Sequence, residues 1–279
     1  MRTKFKLAFP LVLLCNTGNL IAQLTLPAIS AVSSPAPAIG YVVNGGSTKI
    51  ELRSTTGRPE ADGEAKVEAR EGVTLINAKM RNLAQPGEIS AEFLTYVLWA
   101  ITPDGRTNNL GEIMVNENGD GELKVTSPLQ TFSLIVTAEP YHSVRLPSEL
   151  VVLKNVPRRD TKGTVVAVDT YRLMKRSEYE QHGSPLALSP DLLKEVPLEM
   201  YEARNAIEIA RSRGAEKYAP EIYMRAASSL KQAEGLLQAK ADRKEIVSVA
   251  RQSVQFSEDS RALAADRQEQ ERIGRNVGH

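Results

Sequence analysis

Short apolar segments separated by turn residues recur about every ten residues between positions 40 and 155. This spacing restricts the possible folds more than any other feature of the sequence. Segments such as KIEL, AKVEA, VTLINAKM and FSLIVTA are divided by stretches rich in Gly, Pro, Asn and Asp, among them AQPGE and TPDGRTNN. β-rich segments at this spacing are typical of an antiparallel sandwich or barrel. We therefore predict an antiparallel β domain over residues 40–155.

Two of these segments define the predicted core. The segment FLTYVLWAI is apolar on both of its alternating faces, so we expect a central strand with Trp99 in the core. The segment FSLIVTA alternates more regularly and turns Phe132 and Leu134 to the same side. Trp99, Phe132 and Leu134 are therefore the predicted core residues of the β domain.

The C-terminal third is dominated by residues that favour helices. We predict a first helix over 198–213 that stops at Gly214, because glycine favours the left-handed conformation found just after a helix. A second helix should begin at Pro220, which suits a first helical turn, and run to about 240. A third should begin near Asp242, which forms a pair resembling a capping box with Glu245.

Apolar side chains in these helices are spaced by three and four residues, which places them on one seam with the charges outside. Short connections require antiparallel neighbours. The fold class we predict is therefore α+β with separate domains, a β-sandwich followed by an antiparallel three-helix bundle or coiled coil. The predicted packing seam consists of Met200, Ile207, Tyr223, Leu230, Leu237, Ile246, Val249, Phe256 and Leu263.

A further pattern in the β domain consists of Tyr96, Leu98, Trp99, Gly105, Leu110, Gly111, Glu139, Pro140 and Pro147. In these residues the domain resembles the extracytoplasmic domain of anti-sigma-K-type factors. The resemblance covers about 80 residues and implies an Ig-like sandwich. Because the chain shows no sigma-binding domain or membrane span, the resemblance implies no regulatory activity.

A further pattern in the helical region consists of Ala206, Ile207, Ala210, Gly214, Ala215, Tyr218, Ala219, Pro220, Leu230, Ala233 and Glu234. In these residues the region resembles an uncharacterised alanine-rich domain of bacterial envelope proteins, which sometimes precedes an OmpA-like peptidoglycan-binding domain. The resemblance covers about 70 residues and implies an envelope location without a defined chemistry. No OmpA-like domain is expected in this chain, so direct anchoring to peptidoglycan is not implied.

The N-terminus has the layout of a secretory signal peptide, with basic residues, a short apolar run and a small residue at the cut. We predict cleavage between Ala22 and Gln23, and thus an extracytoplasmic location, periplasmic or secreted. The apolar run is shorter than the roughly 20 residues that span a bilayer, so no transmembrane span is expected. Leu14 stands before the single cysteine, Cys15, where a lipoprotein signal needs a small residue, which argues against lipidation.

Charge and motif content exclude several classes of function. The net charge of +1 argues against a nucleic-acid binder, although residues 154–176 are locally basic. The three histidines, His142, His182 and His279, are far apart in the sequence. No nucleophile elbow, phosphate loop or zinc-protease motif is present, so we predict no enzyme and no catalytic, cofactor-binding or metal-ligating residues.

Two weaker candidate sites have structural explanations. Asn116, Asn118 and Asp120 are spaced as in a calcium loop, but Ser127 stands where a bidentate Glu is needed, and a hairpin turn explains the same residues. Glu112 and Glu122 could face one another across a hairpin, as acidic pairs do on any charged sheet.

These observations favour an exported structural or adaptor protein of the bacterial cell envelope, which binds another envelope protein or a second copy of itself through its helices. The alternative is a module that binds cell-wall glycan or another ligand, with the sandwich presenting exposed aromatics such as Tyr141. The predicted division is a signal peptide (1–22), a flexible leader (23–39), the Ig-like sandwich (40–155), a basic proline-containing linker (156–197), the helical bundle (198–271) and a disordered tail (272–279).

Overall fold

The computed structural model describes residues 29–31, 36–56, 60–179 and 190–277. The predicted signal peptide, with Cys15 and the cleavage site between Ala22 and Gln23, lies outside the described residues, as do His182 and His279. Within the described residues the chain forms twelve strands. They are β1 (Ile29–Ala31), β2 (Ala38–Gly40), β3 (Ser47–Ser54), β4 (Asp62–Arg70), β5 (Val73–Arg81), β6 (Thr95–Ile101), β7 (Thr107–Ile113), β8 (Gly121–Ser127), β9 (Thr131–Glu139), β10 (Val151–Pro157), β11 (Thr164–Val166) and β12 (Arg172–Met174).

Ten of these strands form one antiparallel sheet, which curls into a nearly closed barrel. The order is β11-β2-β9-β10-β3-β4-β5-β8, and β6 joins β9 to β7. The two ends of the curl, β7 and β8, lie close to one another: a Cβ atom added to Gly111 would lie 3.5 Å from Leu123 Cδ2. The predicted two-sheet Ig-like sandwich is therefore wrong.

A bulge lies in β7, the strand at one end of the curled sheet. The pairing of β6 with β7 shifts register between Leu98 and Trp99, which leaves Leu110 as the extra residue. The next residue, Gly111, has a φ of 138°, a conformation that favours glycine. A bulge bends its strand and increases the local twist. The apolar pattern of the strands suits a sandwich and a barrel equally, so the pattern alone could not separate them.

The barrel interior is filled with side chains, and the polar atoms of two of the largest are paired. Trp99, Phe132 and Leu134 are fully buried. Trp99 Nε1 donates a hydrogen bond to Thr137 Oγ1 at 2.8 Å, and the Tyr96 hydroxyl donates to the carbonyl oxygen of Ala84 at 2.9 Å. The barrel is therefore a packed core.

Residues on either side of the predicted β domain also take part in the sheets. In the predicted leader, β2 pairs with β9, and in the predicted linker, β11 pairs with β2. β1 and β12 form a separate antiparallel pair. Two arginines of the basic stretch are paired, Arg158 with Glu64 at 3.5 Å and Arg176 with Glu92 at 3.4 Å.

The helices begin and end close to the predicted positions. Gly214 has a φ of 80° after α3, and Pro220 is the first residue of α5. Asp242 Oδ1 accepts a hydrogen bond from the backbone N–H of Lys244 at 2.8 Å, just before α6. Helix α6 continues to Val277, past the predicted end at 271. The described helices are α1 (Pro86–Ile89), α2 (Pro190–Glu195), α3 (Leu198–Ser212), α4 (Ala215–Tyr218), α5 (Pro220–Gln238) and α6 (Arg243–Val277), with a 3-10 helix at Arg176–Tyr179.

The helices do not form a separate three-helix bundle, so the predicted fold class, with α and β parts as separate domains, is also wrong. Helix α3 packs against α5 and α6, but Met200 and Ala203 of α3 and Val254 of α6 share one cluster of buried side chains with Trp99. Asn205 Nδ2 of α3 also donates to the carbonyl oxygen of Pro140 at 3.1 Å. Helix α3 is buried on nearly every side because it lies between the barrel and the other helices.

Within the described residues, none of the helices combines the length and the apolar character that crossing a bilayer requires.

Candidate functional site

Polar side chains that are half-buried or buried lie close together where the helices meet the barrel. Glu112 belongs to β7, His142 to the loop after β9, and Glu202 to α3. One potential ligand atom from each residue lies within 4.8 Å of the other two. We call these three residues the Glu–His–Glu cluster.

Local structure brings each member to this place. Glu112 comes directly after the bulge in β7. The loop that carries His142 is fixed by Asn109 Nδ2, which donates to the carbonyl oxygens of His142 at 2.9 Å and Val144 at 3.0 Å. Glu202 is fully buried on α3. The cluster therefore depends on the docking of α3 onto the barrel.

The hydrogen bonds of the cluster leave one oxygen without a partner. His142 Nδ1 lies 2.8 Å from Glu202 Oε2, and Thr95 Oγ1 donates to Glu112 Oε1 at 2.8 Å. Glu202 Oε1 is buried, and no hydrogen bond reaches it from the described residues. Buried polar atoms are normally paired, so this oxygen requires an explanation.

Arg251 of α6 lies beside the cluster and supplies its positive charge. Arg251 Nη2 lies 2.5 Å from Glu112 Oε2 and 3.3 Å from Glu199 Oε1. Together with Glu202, three carboxyl groups face one guanidinium. If all three carboxyl groups are ionised and His142 is neutral, two negative charges remain uncompensated.

Burial opposes this ionisation. It raises the pKa of Glu202 to about 8, and together with the nearby charge of Glu202 it raises the pKa of Glu112 to about 7. Burial also lowers the pKa of His142 to about 4, although the charge of Glu112 acts in the opposite direction. Near neutral pH the carboxyl of Glu202 therefore keeps its proton and His142 is neutral.

A second buried polar group, which we call the Glu258 cluster, ties α6 to the same loop. Arg261 binds Glu258 through two hydrogen bonds, from Nε at 2.6 Å and from Nη2 at 2.7 Å. The Tyr141 hydroxyl donates to Glu258 Oε2 at 2.7 Å, and the backbone N–H of Arg145 donates to Glu258 Oε1 at 3.1 Å. Such a bidentate pair is both strong and directional.

Glu139 at the end of β9 is a third buried carboxyl. Its Oε1 accepts hydrogen bonds from Thr137 Oγ1 and from the backbone N–H of Ser148, the latter at 2.7 Å. Burial raises the pKa of Glu139 to about 8, and the charge of Glu258 acts in the same direction. Glu139 is therefore protonated in the folded protein near neutral pH.

The residues of the predicted packing seam lie inside the molecule. Met200, Ile207, Tyr223 and Ile246 are buried. The remaining five, Leu230, Leu237, Val249, Phe256 and Leu263, are half-buried. The fully buried line of α6 runs through Ala250, Val254 and Glu258, whereas Phe256 and Leu263 of the same helix are only partly covered.

The two weaker candidate sites take different forms. Asn116 Oδ1 accepts hydrogen bonds from the backbone N–H groups of Asn118 at 2.9 Å and Asp120 at 3.0 Å, as in a turn. Glu122 does not join Glu112; its carboxylate lies 3.2 Å from Lys124 Nζ, whereas Glu112 faces the helices.

Tyr141, the residue predicted to be exposed for glycan binding, is fully buried against Glu258. Every aromatic side chain in the described parts of the chain is buried or half-buried. The glycan-binding alternative therefore lacks the exposed aromatic on which it depends.

Sequence spacing offers no signal for the Glu–His–Glu cluster. His142 and Glu202 are separated by 60 positions, and they come together only because α3 returns to the barrel. A prediction that places α3 in an independent bundle cannot pair it with a strand or a barrel loop.

Comparison with known protein families finds no match to this chain, and comparison with curated proteins finds none either. The function must therefore be inferred from the surfaces and clusters of this structure.

Proposed function

We propose that the protein is an exported structural or adaptor protein of the bacterial cell envelope, which binds a second envelope protein or another copy of itself through the outward side of its helices. The layout of the N-terminus supports export, and the resemblance of the helical region supports an envelope location. The binding surface consists of the exposed stripe of α5 and the last turns of α6.

The main support for this proposal is that α6 extends beyond the helices against which it packs. At about 1.5 Å per residue, its 35 residues extend about 52 Å. Glu271, whose Oε2 accepts a hydrogen bond from the Tyr218 hydroxyl at 2.7 Å, lies near the end of the part that packs on another helix. Beyond it Ile273 is 50% exposed, so the helix presents an apolar side chain past its own packing.

Helix α5 adds a second exposed helical surface. Glu221, Met224, Ser228 and Lys231 follow one another at helical spacing and are exposed. Met224 is 63% exposed, and methionine adapts its shape readily to a partner surface. An adaptor needs such an outward helical face in addition to the internal packing of α3.

Photo-crosslinking in cells that export the protein tests this proposal. A photoreactive amino acid in place of Met224 or Ile273 should give a crosslinked product of defined mass. Substituting Glu for the other of these two residues should lower the yield of that product. The matched control is Val165 of β11, which is 60% exposed but lies on the barrel.

Light scattering of the purified protein separates a second copy from a different partner. A mass above that of the monomer assigns the crosslink to self-association, and a monomeric mass with a crosslink assigns it to another protein. A monomer without crosslinks at Met224 and Ile273, or crosslinking from Val165 alone, contradicts the proposal.

A further inference from the structure

The Glu–His–Glu cluster combines the donor types that divalent transition metals prefer. Zn²⁺ is bound by His nitrogen and Glu oxygen at about 2.0–2.2 Å, and an open site commonly uses three protein ligands with water in the fourth position. We propose that Glu112, His142 and Glu202 bind one divalent transition-metal cation, such as Zn²⁺. This inference is independent of the adaptor function.

Distances within the cluster are compatible with one ion. Ligand atoms bound to the same ion at those distances lie about 3–4 Å apart. The three atoms here already lie within 4.8 Å of one another, so side-chain shifts of about 1 Å complete the site. The ligands come from β7, a barrel loop and α3, so the cation would fasten the helices to the barrel.

The charge of the surroundings also matches a divalent cation. A bound cation displaces the proton that Glu202 otherwise keeps, because metal ligands bind in their deprotonated form. Glu112, Glu199 and Glu202 then carry three negative charges, and Arg251 compensates one of them. A cation of charge +2 neutralises the remaining two, which otherwise are costly to bury.

Glu202 provides the second, independent indication of a ligand. Its side chain is fully buried, and Oε1 accepts no hydrogen bond from the described residues. Oε2 of the same carboxyl already contacts His142. A metal ion in the cluster supplies the missing partner of this carboxyl.

An ion can reach the cluster from solvent. A surface cleft of about 460 Å³ has Glu112, His142 and Arg251 in its wall. The His142 side chain is 14% exposed, so binding does not require the helices to leave the barrel.

Titration of the metal-free full chain with Zn²⁺, in competition with a chromophoric chelator, tests the site. We expect one equivalent to bind, with one imidazole and oxygen ligands in the X-ray absorption spectrum. Glu202→Gln and His142→Gln should each lower the affinity for Zn²⁺ by ~10–100-fold or more. Removing a residue that only supports a metal ligand already causes a loss of that size. Zn²⁺ should raise the Tm of the parent protein and not that of these variants.

Matched controls separate this site from others. Glu122→Gln removes an exposed carboxylate of the barrel, and His182→Gln removes another of the three histidines; both should bind Zn²⁺ like the parent. Circular dichroism checks folding, and Glu112→Gln replaces Glu202→Gln if that variant does not fold. Absence of stoichiometric binding, or equal binding by Glu202→Gln and His142→Gln, overturns the inference.

Discussion

The Tyr141 hydroxyl lies 2.7 Å from Glu258 Oε2, although 117 positions separate the two residues. Tyr141 belongs to a barrel loop and Glu258 to α6, and both are fully buried. Polar groups buried in this way hold only one arrangement of the two elements at low free energy. The contact indicates that barrel and helices fold as one unit.

Removing Glu258 should destabilise the protein strongly. In Glu258→Ala, Arg261 remains buried without its counter-charge, which typically costs about 3–5 kcal/mol of unfolding free energy. Denaturant unfolding measures this loss. The matched control is Glu269→Ala. Glu269 also forms an i,i+3 ion pair in α6, with Arg272, but this pair lies at the exposed end of the helix. Exposed pairs contribute little, so a loss in Glu269→Ala equal to that in Glu258→Ala contradicts the interpretation.

Removing only the hydroxyl of Tyr141 should have a smaller effect. Tyr141→Phe keeps the ring but leaves Glu258 with one hydrogen bond fewer, which costs about 1–3 kcal/mol for a buried charged acceptor. Combined with Glu258→Ala, the two losses should not add, because both remove the same contact. Additive losses in this double-mutant cycle would show that the pair is not coupled.

Glu139 should make the protein less stable as the pH rises. Its pKa is about 8 in the folded protein, raised from an ordinary value of 4.5 that applies when the chain is unfolded. Between these two values the folded state binds the extra proton. The contribution of Glu139 to the free energy of unfolding therefore falls as the pH rises from 4.5 to 8, by roughly 1 kcal/mol for each pH unit.

The variant Glu139→Gln isolates this effect. Gln keeps an oxygen acceptor for Thr137 and Ser148 but cannot ionise, while Glu258 and Tyr179, which also interact electrostatically with Glu139, remain unchanged. The stability of Glu139→Gln relative to the parent should rise between pH 4.5 and 8. A constant difference over this range would show that Glu139 does not titrate as described.

Two glycines should respond in opposite ways to substitution by alanine. Gly214 has a φ of 80°, and an added Cβ would lie 2.9 Å from Gln268 Nε2, so Gly214→Ala should lower the Tm. Gly235 lies in α5 with no atom within 4 Å of an added Cβ. Gly235→Ala should therefore stabilise the protein by about 0.5–1 kcal/mol. Equal effects of the two substitutions in thermal unfolding would contradict this account.

Local features were predictable from the sequence, and the relation between them was not. Gly214, Pro220 and Asp242 mark helix ends through their own backbone chemistry, so neighbouring residues suffice to place the boundaries. The barrel has a bulge at Leu110 in one of its end strands, which no periodic pattern reveals. The buried Glu258–Arg261 pair reads in the sequence like any exposed i,i+3 pair of charges.

The same reason explains the unpredicted candidate site. Glu112 and Glu202 look like surface acids on a strand and a helix, and His142 stands alone in a loop. They meet because α3 packs on the barrel, and this docking follows from the shapes of surfaces formed by residues far apart in the chain.

The most direct test of the account compares two signals during denaturant unfolding. Trp99 is the single tryptophan and lies inside the barrel, so its fluorescence reports on the barrel, while circular dichroism at the helical band reports on α3, α5 and α6. If barrel and helices form one cooperative unit, the two transitions have the same midpoint and slope. Helices that melt in a separate transition, before or after the Trp99 signal changes, would contradict the central claim.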